Sequence, residues 1–502
     1  MLAEPAKFRF QRIKVTLKTK VTLNNVQPDP MRKPTLRLLP LLAASALLAS
    51  PLFAQQQLLV EAQTEPGPLT KWIECDRMLD NCGGPRTWLE DHGIDIFGGY
   101  TAEVWGNTTG GLKRGAVYTG LLDFGTNLDF DKMLGWKGAS FSTTWLWLSG
   151  RDASVNLVGN NLTISNIAGD SSLRMMEMWF QQEFWQRDGA PSGLSIRLGQ
   201  LTADSEFFIS DYGATFINGT FGWPAIMGMN IPNGGPAYPM GAPGVRLAIS
   251  PVEWFTFQSA VFQGDVFPQN VNKYGFRWRL DQQQGYFWIN EAQVRWNHAD
   301  TAAGLPGQLK VGAWFDTASN IPLANGTGDA WGDSGYYAIV DQMLFREPGR
   351  EAPVLATCQD GKCVNPADGK SCAKSFKEPV ALEKSNQGLG WFGRVSFAPQ
   401  DRNTVGFYFD TGLLYTGLIP GRDDDALGVS LGYADYTNDV AQGLFDEGSR
   451  QVGYEAVIEA TYDAQITKWL HVQPDLQYVI RPGGSGDLGN ALVLGARISV
   501  TF

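Results

Sequence analysis

A strict two-residue alternation runs through the end of the chain, from Gln451 to the terminal Phe502. Tyr454, Ala456, Ile458, Ala460, Tyr462, Ala464 and Ile466 are apolar or aromatic, while Glu455, Glu459, Thr461, Asp463 and Gln465 between them are polar. Successive side chains of a strand leave opposite faces, so this spacing makes one wholly apolar and one wholly polar surface. After Thr467 and Lys468 the pattern resumes. Leu470, Val472, Leu476, Tyr478 and Ile480 share one face, and His471, Gln473, Asp475 and Gln477 the other. The two runs predict a long hairpin with a tight turn. A glycine-rich loop from Arg481 to Asn490 leads to a last strand, in which Leu492, Leu494, Ala496, Ile498, Val500 and Phe502 alternate with Gly495, Arg497, Ser499 and Thr501.

Strands of about ten residues match the length that crosses a bilayer at a tilt. A soluble sandwich favours strands of about five or six residues. In a membrane barrel the apolar face meets lipid and the polar face lines a watery interior. A soluble two-layer β protein is the alternative that alternation alone leaves open.

Residues 1–54 read as a targeting segment. Met31, Arg32, Lys33 and Arg37 form a basic start, Leu38–Leu48 an apolar run, and Leu52-Phe53-Ala54 a cleavage end before Gln55. These residues hold nine Lys/Arg and two Asp/Glu, so residues 55–502 carry 31 basic and 49 acidic side chains, net −18. So acidic a chain does not suit nucleic acid. Residues 55–502 contain no run of 18 apolar residues, hence no transmembrane helix is expected. Export without a helical span, together with long alternating strands, points to an all-β fold. The expected fold is a transmembrane antiparallel β-barrel of the outer membrane, with about 16 strands.

Residues 55–93 are expected as a periplasmic or lumenal extension and 94–502 as the barrel. The first strand, Ile94–Gly106, places Asp95, Thr101 and Glu103 inward and is the natural partner of the last strand, since closure removes both open edges. Seventeen candidate strands can be marked, including Gly275–Leu280; an even count of 16 requires one to be a misreading. Two connections are long, Thr202–Gly241 and Arg346–Gln387, and are expected to lie outside the cell or to fold into the bore. Cys75 and Cys82 in one polar segment, and Cys358, Cys363 and Cys372 in another, are disulfide candidates with one thiol left over. A zinc site fits less well, because no CxxC unit and no nearby histidine accompany the second group.

No catalytic residues, metal or cofactor are expected. His92, His298 and His471 are scattered, and there is no HExxH, GxSxG or phosphate loop. The inward parity instead collects Arg197, Arg246, Arg279, Arg295 and Arg497 with Glu291, Glu455 and Glu459. A wall of both signs suits neutral, hydroxyl-rich solutes, where a wall of one sign would select ions. Among the 17 tryptophans, Trp145, Trp147 and Trp288 suit interfacial girdles, while Trp105 and Trp469 on the inner parity are candidates to face a sugar ring. Asp423-Asp424-Asp425 lacks the spacing of a calcium loop.

Several separated segments carry a resemblance. Gly110-Gly111 with Asp131–Gly138, Gly199–Phe207, Ala237–Arg246, Pro420–Asp425 and Gln473–Tyr478 are similar, in order, to signature segments of the carbohydrate-selective porins, the OprB family. The resemblance spans about Ile94 to Phe502. It implies a 16-stranded outer-membrane barrel passing glucose and related small sugars, narrowed by inward-folded loops with arginine and acidic residues at the constriction. It also implies Asp204, Glu206, Arg246 and Arg422 at or near that constriction. The expected partners are small carbohydrates and outer-membrane lipid, with no nucleic acid, in a monomer or homotrimer. The competing functions are a general or ion-selective porin and a secreted soluble carbohydrate-binding β protein.

Overall fold

A computed structural model describes residues 67–79, 84–185, 193–279, 284–298, 302, 304–323, 329–348, 385, 387–437, 453–484 and 486–502. Sixteen antiparallel strands close on themselves. In chain order they are β1 Ile94–Thr109, β2 Gly115–Asp129, β3 Ala139–Gly150, β4 Ser172–Trp185, β5 Leu194–Leu201, β6 Ala242–Val252, β7 Phe255–Gln263 and β8 Tyr286–Trp296. They continue as β9 Gly307–Pro322, β10 Asp329–Arg346, β11 Gly388–Phe397, β12 Val405–Thr416, β13 Ala426–Tyr436, β14 Tyr454–Thr467, β15 Leu470–Ile480 and β16 Ala491–Thr501. β1 pairs with β16 from Gly99↔Thr501 to Thr109↔Leu492, and Phe502 N–H donates to Gly98 O at 2.9 Å. No strand edge is left for lipid to meet.

The alternation holds. Ile458, Ile466, Leu494 and Ile498 are exposed on the outer face, while Glu455, Glu459 and Gln477 point inward. The tight turn lies one residue later than expected, at Lys468-Trp469, because an irregularity between Gln465 and Thr467 absorbs a residue of β14. Gly275–Leu280 is the misread strand. Gly275 adopts φ +80° against the Met175 carbonyl, and the Asn272 side chain captures the Arg277 N–H at 2.9 Å, so the segment turns instead of pairing.

The interior is not simply watery. The connections 151–171 and 202–241 fold into the bore and bury Leu157, Leu162, Ile164, Phe207, Phe216, Ile217, Phe221 and Ile226. A hydrophobic core thus sits inside the barrel, burying the wall residues behind it. Irregular backbone at this depth is tolerated only when its polar groups are satisfied by protein or water. The wall supplies the partners. Glu455 accepts from Asn161, Leu162 and Gly483 N–H groups at 3.0, 2.7 and 2.7 Å, and Glu459 from Ile217 and Asn218 at 2.6 and 3.0 Å. Gln473 and Gln477 donate to the carbonyls of Thr215 and Ile164, both at 2.8 Å.

Phe208 shows how tightly the second segment is held. Its φ of +60° is unfavourable for a residue with a Cβ. Its N–H donates to Glu291 at 3.0 Å, its carbonyl accepts from Arg394 at 3.0 Å, and its ring stacks on Tyr337 at 4.1 Å. Tyr337 reaches that position by lying over Gly312, where a Cβ would come within 2.1 Å of its ring.

By strand parity β10 ends and β11 begins at the rim of the chain ends, that is, the rim where β1 begins and β16 ends. Helices α1 (Pro68–Glu74) and α2 (Pro85–Asp91) lie at the same rim. Met78 N–H donates to Thr501 O at 2.8 Å and Trp72 packs on Trp469 at 4.7 Å, so this part of the extension does not plug the bore. Cys75 is disulfide-bonded; Cys82, Cys358, Cys363 and Cys372 lie outside the described residues, as does 1–66.

Fully buried Arg394 grips Asp410 and the carbonyls of Phe208, Thr220 and Gly222. Arg394→Met leaves the Asp410 charge uncompensated and is expected to destabilise the barrel by about 3–5 kcal/mol. Urea unfolding in lipid or detergent reads this as a lowered midpoint; an unchanged midpoint sinks the assignment.

Candidate functional site

Two cavities flank the turn Thr202–Glu206. The outer one, about 1010 Å³, opens among the connections 151–171 and 202–241 and reaches down to Arg497. The inner one, about 700 Å³, is bounded by Glu253, Trp254, Arg295, Asn297 and His298 near the rim of the chain ends and by Lys310 and Gln308 on the wall. Thr202 and Asp204 face the outer cavity, Glu206 the inner one, and Ser205 lines both. This turn lies between the two cavities.

A charged cluster supports the partition from the wall. Arg197 of β5 and Arg246 of β6 are direct cross-strand partners, which by itself sets two like charges side by side. Glu206 from the turn answers both, at 2.6 Å from Arg197 Nη1 and 2.6 Å from Arg246 Nε. The Arg246 Nε contact is a charge contact with its N–H misaligned, and Arg246 also donates to Ser195 at 2.6 Å and to Gln181 at 2.9 Å. Gln181 Oε1 accepts from Arg197 Nε at 3.0 Å as well, and the Arg197 guanidinium lies over the Trp179 ring at 3.8 Å. The turn itself is fixed by Glu177, which accepts from the N–H and hydroxyl of Thr202 at 3.0 and 2.8 Å.

Asp204 accepts the Tyr238 N–H at 2.8 Å. Burial pushes its carboxyl up to about 6.

The expected site residues divide. Arg197, Glu206 and Arg246 meet, Asp204 lies on the outer cavity and Arg295 on the inner one. Arg497 reaches the outer cavity while ion-paired with Glu103, its cross-strand partner. Glu291, Glu455 and Glu459 are wall residues but are buried under the inward segments they hold, not open to the bore. Arg279 lies in the β7–β8 connection, not on a strand wall, because the segment that suggested its parity is the misread strand. Arg422 lies in the β12–β13 turn at the rim of the chain ends and pairs with Asp425 at 2.8 Å, away from the partition. Trp105 is fully buried in the core inside the barrel, and Trp469 packs under Trp72; neither offers a ring to the bore.

Gln181, Trp179 and Glu177 were missed, although inward parity along β4 was enough to mark them. Ser205, Tyr238 and Trp223 lie in a connection, where alternation says nothing. Among the described residues no group of three or more His, Cys, Asp or Glu could hold a metal ion.

A closed 16-stranded barrel with an apolar outer face and a partitioned polar passage defines a porin of the outer membrane. The chain belongs to the carbohydrate-selective porin, OprB family, whose model matches residues 113–362 and 374–502; it is a sugar porin, and the family is one of channels rather than enzymes. It is 25% identical over 468 residues to Porin B of Pseudomonas aeruginosa, covering 87% of this chain and 92% of that one. It is 22% identical over 449 residues to the putative porin QuiX of Acinetobacter baylyi, covering 85% and 93%. The high-pH structure of OprB from Pseudomonas putida superposes with a TM-score of 0.67 at 24% identity, covering 86% of this chain and 99% of that one, and shares the fold.

Glu206→Gln removes the negative charge between two arginines. The chloride-to-potassium permeability ratio should rise about tenfold, because one unit charge about 6 Å away in water is worth about 0.7 kcal/mol to each ion, with opposite signs. A reversal potential across a KCl gradient measures it. Between pH 5 and pH 7 Asp204 gains its negative charge, so cation preference should rise with pH in the wild type; the same recording on Asp204→Asn should show a smaller rise over that window.

Proposed function

We propose that the channel passes glucose and similar monosaccharides down their gradient, past the partition formed by Asp204, Ser205 and Glu206 and backed by Arg197 and Arg246. The supporting observation is the cluster itself: Glu206 is held between two arginines at 2.6 Å from each, so a passing solute meets opposite charges side by side. Sugar hydroxyls donate and accept at once, so they exchange water for such groups at little cost, whereas an ion gains from one sign and loses from the other. The inner cavity repeats the mixture, with Glu206, Asp211 and Glu253 facing Arg295 and Lys310. No energy source enters this mechanism; weak, exchangeable contacts let the solute leave as readily as it enters.

The passage lies within one barrel, so the reading is the same for a monomer and for a homotrimer. The exposed outer residues Val104, Trp147, Val245, Trp288 and Val429 suit contact with outer-membrane lipid. Met31–Ala54 is proposed as the export signal, giving a chain that begins near Gln55 with a periplasmic extension before the barrel.

Liposomes carrying the refolded protein should swell faster in glucose than in an amino acid of similar size, and more slowly in disaccharides. Rates ranked by size alone would mean a general porin.

A further inference from the structure

The outer cavity has an aromatic surface to which neither the family nor the partition assigns a role. We propose that Trp223 is the stacking platform of a pyranose subsite, at which a sugar pauses before it reaches the partition. The inference rests on the small-sugar reading above and adds a place and a residue to it.

Trp223 lies two residues before α3 (Ala225–Asn230) and is half-buried, packed against the hydrophobic core inside the barrel. Its indole N–H donates to Gly234 O at 2.9 Å, so its polar edge is already satisfied and the ring is held in place. The residues around it that also line the cavity are largely glycine: Gly222, Gly228, Gly234 and Gly235. A Cβ on Gly228 would stand 3.9 Å from the ring, so glycine there leaves that side of it uncovered. An immobilised aromatic surface left open to a water-filled cavity is favourable only for a ligand with an apolar face of its own.

A pyranose has such a face. Its axial C–H bonds are apolar, and its equatorial hydroxyls need partners of both kinds. The same cavity offers Asn156, Asn161, Thr163, Asn233 and Gln269, amide and hydroxyl groups that both donate and accept. An open-chain polyol carries the same hydroxyls and no ring face, which separates stacking from hydrogen bonding alone.

Planar-bilayer recordings with D-glucose and with sorbitol test the proposal, on wild type, Trp223→Leu and Trp223→Phe, each first matched by heat-modifiable migration as an intact barrel. Wild type should show half-maximal reduction of ion current at about fivefold lower glucose than sorbitol. Trp223→Leu should lose that difference by weakening glucose alone, and Trp223→Phe should keep most of it. Glucose half-saturation unchanged in Trp223→Leu overturns the subsite while leaving the small-sugar reading intact. Equal responses to the two solutes in wild type overturn it too, even if the leucine variant does not fold. Absence of any glucose effect on wild-type current removes the small-sugar reading and the subsite together.

Discussion

Backbone that enters the bore of a barrel must have every N–H and C=O paired, and the remainder of this structure follows from how that requirement is met. Connections 151–171 and 202–241 have little regular structure of their own, so they cannot satisfy themselves as a helix would. Glu455 and Glu459 on β14, Glu291 on β8, Asp341 on β10 and Arg394 on β11 supply the missing partners. Each is a cross-bore contact between a rigid strand and an irregular segment. The sheet therefore fixes where the inward segments lie.

The same contacts explain why buried charge is acceptable here. A carboxylate that accepts two or three backbone N–H bonds keeps much of the stabilisation that water gave it, and the amides gain charged partners. Arg394 sits against Asp410 and three carbonyls. These charges are committed to the scaffold.

Much of this was legible in the sequence, and what was not has a physical reason. Alternation in β14, β15 and β16 gave membrane span, face and closure, since a strand has a fixed side-chain period. It also placed Glu459 and Glu455 inward correctly. Parity states a direction and not a partner, however, so residues that grip a loop and residues that touch water read alike. Arg279 was misplaced because Gly275–Leu280 alternates like a strand while Gly275 takes a conformation no strand uses. Arg422 came with a family segment, and similarity of a segment carries no information on which rim it occupies. Trp105, on β1, is fully buried within the core inside the barrel, whereas Trp223, in a connection, is half-buried and lines a cavity; parity distinguishes neither outcome.

The position of the β10–β11 connection bears on how such a barrel is made. Long loops on the far rim must be carried through the membrane as the sheet closes, which makes each one a load on insertion. The stretch with Cys358, Cys363 and Cys372 begins at Arg346 and ends at Gly388 on the near rim, beside the chain ends. It never has to be threaded across. The size of such a connection is under no limit set by translocation.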